Sequence, residues 1–258
     1  MNQKIFENYK EFSIDIGGKK FTFETGKMAE LANAALLCRC GESAILVTVT
    51  ASARAREGID YFPLSLDFEE KLYSVGKIPG SFNRREGRAG EKATLAGRLI
   101  DRPMRPLFPS DMRNDVAITC TIMSSDPDVQ PEILAMIGAS AATAISDVPW
   151  NGPIGGVAVG IVDGQFVINP DAAQRAVSTL QLTVAGTGQK VVMIEAGANE
   201  VPEDTMFDAI MVAHAEIKKI VAFINDMVQQ IGKPKFEYAC VPFDEVLYEK
   251  IKVWGLDK

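Results

Sequence analysis

The sequence is poor in the residues that usually carry metal and disulfide chemistry. Among 258 residues there is one histidine, His214, and there are four scattered cysteines: Cys38, Cys40, Cys120 and Cys240. A structural zinc site needs four ligands at short spacings, and Cys38 and Cys40 have no second ligand pair near them in sequence. We therefore predict buried, reduced thiols in a reducing cytoplasm. His214 falls on the apolar side of a predicted helix, where a packed neutral imidazole is expected.

Long apolar runs are absent as well. No segment approaches the ~18 consecutive apolar residues that a membrane span requires. Met1 to Lys10 is polar and charged, unlike a secretory signal. The HExxH, P-loop and Rossmann glycine motifs are also missing. With 47% hydrophobic and 24% charged residues, the composition indicates a globular protein with no membrane partner.

The patterns that are present predict an α+β fold. A hairpin turns at Gly17-Gly18, and apolar, β-branched runs at 43–52 and 115–125 predict strands. The stretch "EKATLAGRLIDRP" predicts a helix that stops at Pro103. A second helix, "PEILAMIGASAATAISD", is rich in small residues and is expected to pack closely on the sheet. Pro149 to Pro153 then interrupts the pattern.

After this interruption the pattern of strands and helix begins again. Hairpins are predicted around Asp163-Gly164 and Gly186 to Gly188, and a long amphipathic helix starts at about Pro202. The tail from Val241 predicts another amphipathic helix. The predicted domains are residues 1–149, 150–233 and 234–258, the last comprising a linker and the start of a helical domain.

Positive charge is concentrated in one segment of an otherwise acidic chain. The formal net charge is -7, yet Lys71 to Arg113 holds ten Lys and Arg against four acids, a local balance of +6. The remainder carries 17 basic and 30 acidic residues, or -13. A basic segment in an acidic body is typical of a site for a polyanion.

This basic segment contains a glycine-rich loop followed by a helix. In the loop, Arg84, Arg85 and Arg88 offer planar forks for phosphate, and Phe82 offers a face on which an unpaired base can stack. In the helix, the spacing places Arg98, Arg102 and Arg105 on one side and Asp101 on another. From residue types alone, nucleic acid or nucleotide binding and a structural ion-pair network remain equally open.

Longer motifs resemble a known family. The stretches "KIPGSFNRREGRAGEKATLAGRLIDRPMRPLFP", "DVQPEILAMIGASAATAISDVPWNGPIGGVAVGIVDGQFVINP", "LQLTVAGT" and "EDTMFDAIMVAHAEIKKIV" resemble, in order, the first ribonuclease-PH-like core of bacterial polynucleotide phosphorylases. The resemblance implies two subdomains, a ribosomal protein S5 domain 2-like βαβ unit and a smaller αβ unit. The start of an all-helical domain would follow them.

The resemblance also implies an activity for the full-length enzyme. The family degrades RNA from its 3′ end by phosphorolysis, with inorganic phosphate as co-substrate and Mg²⁺ as cofactor, and it works as a cytoplasmic homotrimer. Expected partners are single-stranded RNA, a second ribonuclease-PH-like core of the same subunit, and other RNA-degradation proteins. Asn83 stands where the family's loop usually has a second aromatic residue. The RNA-binding residues implied or proposed are Phe82, Asn83, Arg84, Arg85, Arg88, Arg98, Arg102 and Arg105.

The catalytic groups of the family are not found in this chain. Where the active core has a phosphate-binding serine-rich turn, this chain has Pro131 and Glu132, and a carboxylate there would repel phosphate. Asp171 is the only acid in "DAAQRAVSTLQLT" and lies outside the positions expected for the metal-binding aspartate pair. We therefore predict no catalytic and no metal-binding residues here, with Mg²⁺ held outside this chain.

Other interpretations remain open. The chain would be an active exosome-type or ribonuclease-PH-type subunit if a neighbouring subunit supplied the carboxylates. It would be a non-enzymatic binding module if the basic loop held a nucleotide or another phosphorylated small molecule. Asp126 and Asp128 flank a proline, and we favour a turn that satisfies local amides over a metal site.

Overall fold

The computed structural model describes residues 6–56, 58–80, 82, 84–239 and 244–256. Its first six strands are β1 Lys10–Ile16, β2 Lys19–Thr25, β3 Ala34–Cys40, β4 Ser43–Ala55, β5 Leu64–Glu70 and β6 Asn114–Ser124. They form one sheet in the order β1-β2-β3-β4-β6-β5. Neighbours are antiparallel except β5 and β6, which run parallel. β5 is therefore an edge strand.

Most of this sheet follows the sequence pattern. The hairpin at Gly17-Gly18 is confirmed, with φ of 58° and 77° at the two glycines and β1 paired to β2 across them. The strands predicted at 43–52 and 115–125 are confirmed as β4 and β6. β3 is not predicted from the sequence, and it supplies the pairing between β2 and β4.

Two helices pack against the first sheet. α1, Glu91–Met104, packs on β5, and α2, Pro131–Ile145, packs on β3 and β4. α1 ends one residue after Pro103, close to the predicted stop, and a 3₁₀ turn at Arg105–Leu107 follows it. Every residue of α2 from Ile133 to Ile145 is buried, which confirms the closely packed helix expected from its small side chains.

A second sheet stands on the other side of α2. Its strands are β7 Gly155–Val162, β8 Gln165–Ile168, β9 Leu180–Gly186 and β10 Val191–Ala198, in the antiparallel order β10-β9-β7-β8. The hairpin turns predicted at Asp163-Gly164 and near Gly186 are confirmed. The helices of this part are α3, Ala172–Val177, and α4, Glu203–Ile231.

The two faces of the second sheet are covered by different helices. Within β7, Gly155 lies against Ile217 and Ile220 of α4, whereas Gly156 lies against Met136 of α2. Successive residues of a strand point to opposite faces, so α2 is shared between the two sheets. One hydrophobic cluster accordingly runs through both. The domain limits at 149 and 233 stay predictions.

The chain beyond α4 returns to the end of α2. The Lys235 ammonium donates to the carbonyl oxygens of Thr143, Ala144 and Ser146 at 3.3, 2.8 and 2.6 Å. These carbonyls carry partial negative charge at the helix end, while burial lowers the pKa of Lys235. Farther on, the predicted tail helix is confirmed as α5, Glu245–Leu256, none of whose residues is buried. Of the helices in the described ranges, none has the length and apolarity to cross a bilayer.

The residues considered for metal chemistry have structural roles. Cys38, Cys40 and Cys120 are buried thiols without disulfide partners, as predicted, whereas Cys240 lies outside the described residues. Burial raises the pKa of Cys38 well above its usual value and that of Cys120 to about 12. His214 is packed as predicted, with Nε2 3.1 Å from the carbonyl oxygen of Thr187.

Candidate RNA-binding loop and cleft

The predicted arginine loop leaves the first sheet at its edge. After β5, a 3₁₀ turn at Leu72–Val75 ends at Gly76, whose φ of 69° is left-handed. The described residues from 77 to 90 have no regular secondary structure, and α1 begins directly after Gly90. We call residues 77–90 the arginine loop. The loop connects an edge strand to a surface helix, and its described residues lie at the protein surface.

The predicted contact residues of the arginine loop are exposed. Phe82 is 102% exposed, and Arg84, Arg85 and Arg88 are exposed too. The described part of the chain offers these three guanidinium groups neither a hydrogen bond nor an ion pair. Asn83, which was also predicted to bind RNA, lies outside the described residues. The loop thus presents an aromatic ring and unpaired cations side by side.

Among the described residues between the two ends of the arginine loop, one hydrogen bond connects the loop to the rest of the fold. The Leu72 amide donates to Glu86 Oε1 at 2.9 Å. The other hydrogen bonds of described loop residues lie at its ends, from Lys77 N to Leu72 O and from Thr94 N to Gly90 O. This role of Glu86 is not predicted from the sequence. The signal available was an isolated acid within a run of arginines.

A cleft of about 700 Å³ lies between the arginine loop, β5 and α1. α1 comes close to β5 at Gly97, where an added Cβ would lie 3.3 Å from the Leu66 carbonyl oxygen. Arg88 reaches the cleft from the loop, Arg98 reaches it from α1, and Arg105 reaches it from the 3₁₀ turn that follows α1. The fold therefore brings three of the predicted arginines to one place. Arg102 is exposed but is not among the residues that line the cleft.

The cleft contains acidic as well as basic side chains, which differs from the arginine-lined surface expected from the sequence. Asp101 was predicted to lie away from the arginines, and this is wrong. Its carboxylate accepts two hydrogen bonds from Arg105, at 2.9 and 2.8 Å, and Arg105 also donates to Leu64 O at 3.1 Å. Residues 98, 101 and 105 follow the i, i+3, i+7 spacing of one helix side, so Asp101 shares that side. Arg105 is consequently engaged within the protein.

Acidic groups also line the β5 side of the cleft. The Lys71 ammonium lies 2.8 Å from Glu69, and this hydrogen bond, with a contribution from the charge of Glu86, raises the pKa of Lys71. The acidic residues around the cleft are Asp67, Glu69, Glu70, Glu86 and Asp101, against Lys71, Arg88, Arg98 and Arg105. The unpaired positive charge is therefore concentrated at the loop and at Arg98.

A second cleft, of about 600 Å³, includes Glu132, the acid that the sequence places at the expected phosphate-binding turn. Glu132 lines this cleft from the first turn of α2. Arg175 lines it from α3, and Glu195 lines it from β10 of the second sheet. Asp171, the acid nearest to the expected aspartate pair, caps α3: its Oδ1 accepts the Gln174 amide at 2.8 Å. Arg175 donates to the carbonyl oxygen of Pro170 at 2.7 Å. Asp171 and Arg175 therefore stabilise the local fold.

Asp126 and Asp128 form the turn predicted from the sequence. Asp126 accepts the backbone amides of Asp128 and Glu42 at 2.9 and 3.2 Å, and these bonds lower the pKa of Asp126. Asp128 accepts the Ala172 amide at 3.1 Å. Within the ranges that the structure describes, no three His, Cys, Asp or Glu side chains are grouped as a metal site.

Comparisons with known proteins agree with this architecture. Residues 17–149 match domain 1 of the 3′ exoribonuclease family, and residues 152–216 match domain 2. A polyribonucleotide nucleotidyltransferase of Ruminiclostridium cellulolyticum is 56% identical over 250 residues, which cover 97% of this chain and 36% of that protein. One of Clostridioides difficile is 50% identical over 254 residues, covering 98% and 36%. The chain thus spans roughly a third of the length of these relatives.

A solved structure shows the same fold at low sequence identity. The crystal structure of rice (Oryza sativa) Rrp46 superimposes with a TM-score of 0.64 at 11% identity, covering 89% of this chain and 98% of Rrp46. The ribonuclease-PH-like α+β fold expected from the sequence is therefore confirmed. Given the two matched domains and the close relatives, the chain belongs to the 3′ exoribonuclease family.

Proposed function

We propose that this chain is the RNA-guiding first core of a phosphorolytic 3′-to-5′ exoribonuclease, a polyribonucleotide nucleotidyltransferase of cytoplasmic mRNA degradation. The observation that carries the proposal is the arginine loop, where a fully exposed Phe82 stands beside unpaired Arg84 and Arg85. Aromatic rings stack on unpaired bases, and guanidinium groups bind the phosphates between them. This combination favours single-stranded RNA over a duplex, whose bases are already stacked.

The path of the strand follows from the unpaired cations. Arg84, Arg85 and Arg88 bind phosphates at the loop, and Arg98 extends the contact along α1. Arg102 contributes charge beside this path. Arg105 contributes little, because Asp101 neutralises its guanidinium group. The proposed track therefore runs along the loop and the first turns of α1, and is shorter than the spacing of the arginines alone predicts.

The chemistry itself is assigned to another part of the full-length protein. In phosphorolysis an oxygen of inorganic phosphate attacks the last phosphodiester, the bond to the preceding 3′ oxygen breaks, and a nucleoside diphosphate leaves. Mg²⁺ and phosphate would have to be held close to that phosphorus. Here Glu132 stands in the sequence where the resemblance leads us to expect the phosphate-binding turn, and Asp171 is engaged in capping α3. We therefore assign no catalytic residue to this chain.

Exposed apolar surface supports assembly with other cores. β10 is an edge strand of the second sheet, with Val192 and Ile194 exposed, and α4 exposes Phe207 and Met211. Edge strands and apolar patches of this kind are usually covered by a partner. We assign them to contacts with the second ribonuclease-PH-like core and with neighbouring subunits of a homotrimer. Other RNA-degradation proteins are expected to join that assembly.

Binding and turnover assays test this proposal on the 258-residue chain. A fluorescent single-stranded RNA should bind and should resist competition by a nucleoside monophosphate at equal phosphate concentration. With Mg²⁺ and inorganic phosphate present, the chain alone should release no nucleoside diphosphate above background. Robust release would show that catalytic groups are present here after all.

A nucleotide-binding module is the second candidate function. The mixed-charge cleft of about 700 Å³ is within the usual size of small-molecule sites, and Arg88 and Arg98 are available to hold a phosphate. Competition separates the two functions, because a nucleotide site would bind the free nucleotide at least as tightly as the RNA. Displacement of RNA by equimolar nucleotide would favour this alternative.

A further inference from the structure

The arginine loop holds an unusual backbone conformation with very few contacts. Arg84 has a φ of 47°, in the left-handed region that non-glycine residues rarely adopt. Such conformations persist where the surrounding structure holds them. Among the described residues, the one hydrogen bond between the body of the loop and the fold is that from the Leu72 amide to Glu86 Oε1, two residues after Arg84.

We propose that Glu86 is a positioning residue that holds the arginine loop in its RNA-binding conformation by accepting a hydrogen bond from the Leu72 amide. The inference rests on the proposed function, since it concerns how Arg84 and Arg85 are presented to RNA. Leu72 is a suitable anchor because it belongs to the 3₁₀ turn that directly follows β5. The loop is thereby connected to the edge of the first sheet.

Because Glu86 is negatively charged, its charge and its positioning role predict opposite changes in RNA affinity when it is replaced. A carboxylate two residues from Arg84 repels RNA phosphates, so simple electrostatics predicts that its removal strengthens binding. The positioning role predicts the reverse. Without the hydrogen bond the loop populates other conformations, and the apparent affinity falls in proportion to the competent fraction. The two effects are separable because glutamine loses the charge and keeps an acceptor oxygen.

The test compares three single variants by RNA binding and its salt dependence. Glu86→Ala should weaken binding about fivefold, the size expected when one charge-assisted hydrogen bond no longer favours the competent loop. Glu86→Gln should bind at least as tightly as the wild type. The matched control is Glu91→Ala, which removes an exposed acid at the start of α1 that makes no side-chain hydrogen bond among the described residues, and it should not weaken binding.

Salt dependence provides the second readout. The bound loop makes the same phosphate contacts in Glu86→Ala, so the slope of log affinity against log salt should match the wild type. Equal or tighter binding by Glu86→Ala, or a loss in Glu86→Gln as large as in Glu86→Ala, would overturn the positioning role. A double variant, Arg84→Ala with Arg85→Ala, distinguishes this from failure of the proposed function: if it binds RNA like the wild type, the RNA assignment itself falls.

Discussion

The packing of α2 on β3 provides a stringent test of the fold that carries the loop. At Gly138 an added Cβ would lie 2.6 Å from Cys38 Sγ and 3.0 Å from Val47 Cγ2. Gly138→Ala should therefore overpack the core at a cost of about 1–3 kcal/mol. Alanine regains about 1 kcal/mol of helix propensity over glycine. The net expectation is destabilisation by about 1 kcal/mol.

A second substitution reverses the sign of this effect. In a Cys38→Ala background the sulfur is gone, and the nearest remaining contact is Val47 Cγ2 at 3.0 Å. Gly138→Ala should then be neutral or stabilising by up to about 1 kcal/mol, a coupling of about 1–2 kcal/mol between the two sites. Urea unfolding of the four proteins measures this coupling. If Gly138→Ala has the same effect in both backgrounds, α2 does not contact Cys38 as described.

Two further predictions concern charged groups. Asp101→Asn removes the charged partner of Arg105 and should strengthen RNA binding. The expected gain is about twofold, the effect of removing one negative charge ~8 Å from an RNA phosphate in water. An anisotropy titration that shows weaker binding would contradict this. Burial raises the pKa of Glu24, but hydrogen bonds from Lys27 and Arg39 outweigh it and the pKa lies below its usual value. Glu24 therefore stabilises the fold above its unfolded pKa of about 4.3, and this contribution is lost as pH falls through the lower folded pKa. In urea unfolding, the stability difference between wild type and Glu24→Gln should shrink between about pH 5 and pH 3, and a difference that grows on acidification would contradict the ion pairs.

The elements that the sequence predicts correctly are those with local causes. The turn at Gly17-Gly18 needs left-handed residues, and the small residues of α2 suit close packing from whichever side the sheet lies. β3, in contrast, depends on contacts that are distant in the sequence. Four of the seven residues in its sequence, "AALLCRC", are Ala or Leu, which favour helix. The strand exists because β2 and β4 pair with it on both sides, and this tertiary cause is not visible in a local pattern.

The exposure of the candidate site's residues follows from the sequence more closely than its geometry does. Phe82 and the loop arginines are exposed as their setting in a glycine-rich segment suggests. The pairing of Asp101 with Arg105 follows from i,i+4 spacing and could have been predicted by checking each arginine against the preceding turn. The Glu86 bond joins residues 14 positions apart through an irregular loop. No sequence periodicity encodes such a contact.

The most direct test of the central claim measures the salt dependence of RNA binding. For single strands, each phosphate contact contributes about 0.7 to the slope of log affinity against log salt. Replacing both Arg84 and Arg85 by alanine should therefore flatten the slope by about 1.4 and weaken binding, while the fold, which these exposed side chains do not support, stays intact. An unchanged slope in the double variant would contradict the assignment of the arginine loop to RNA.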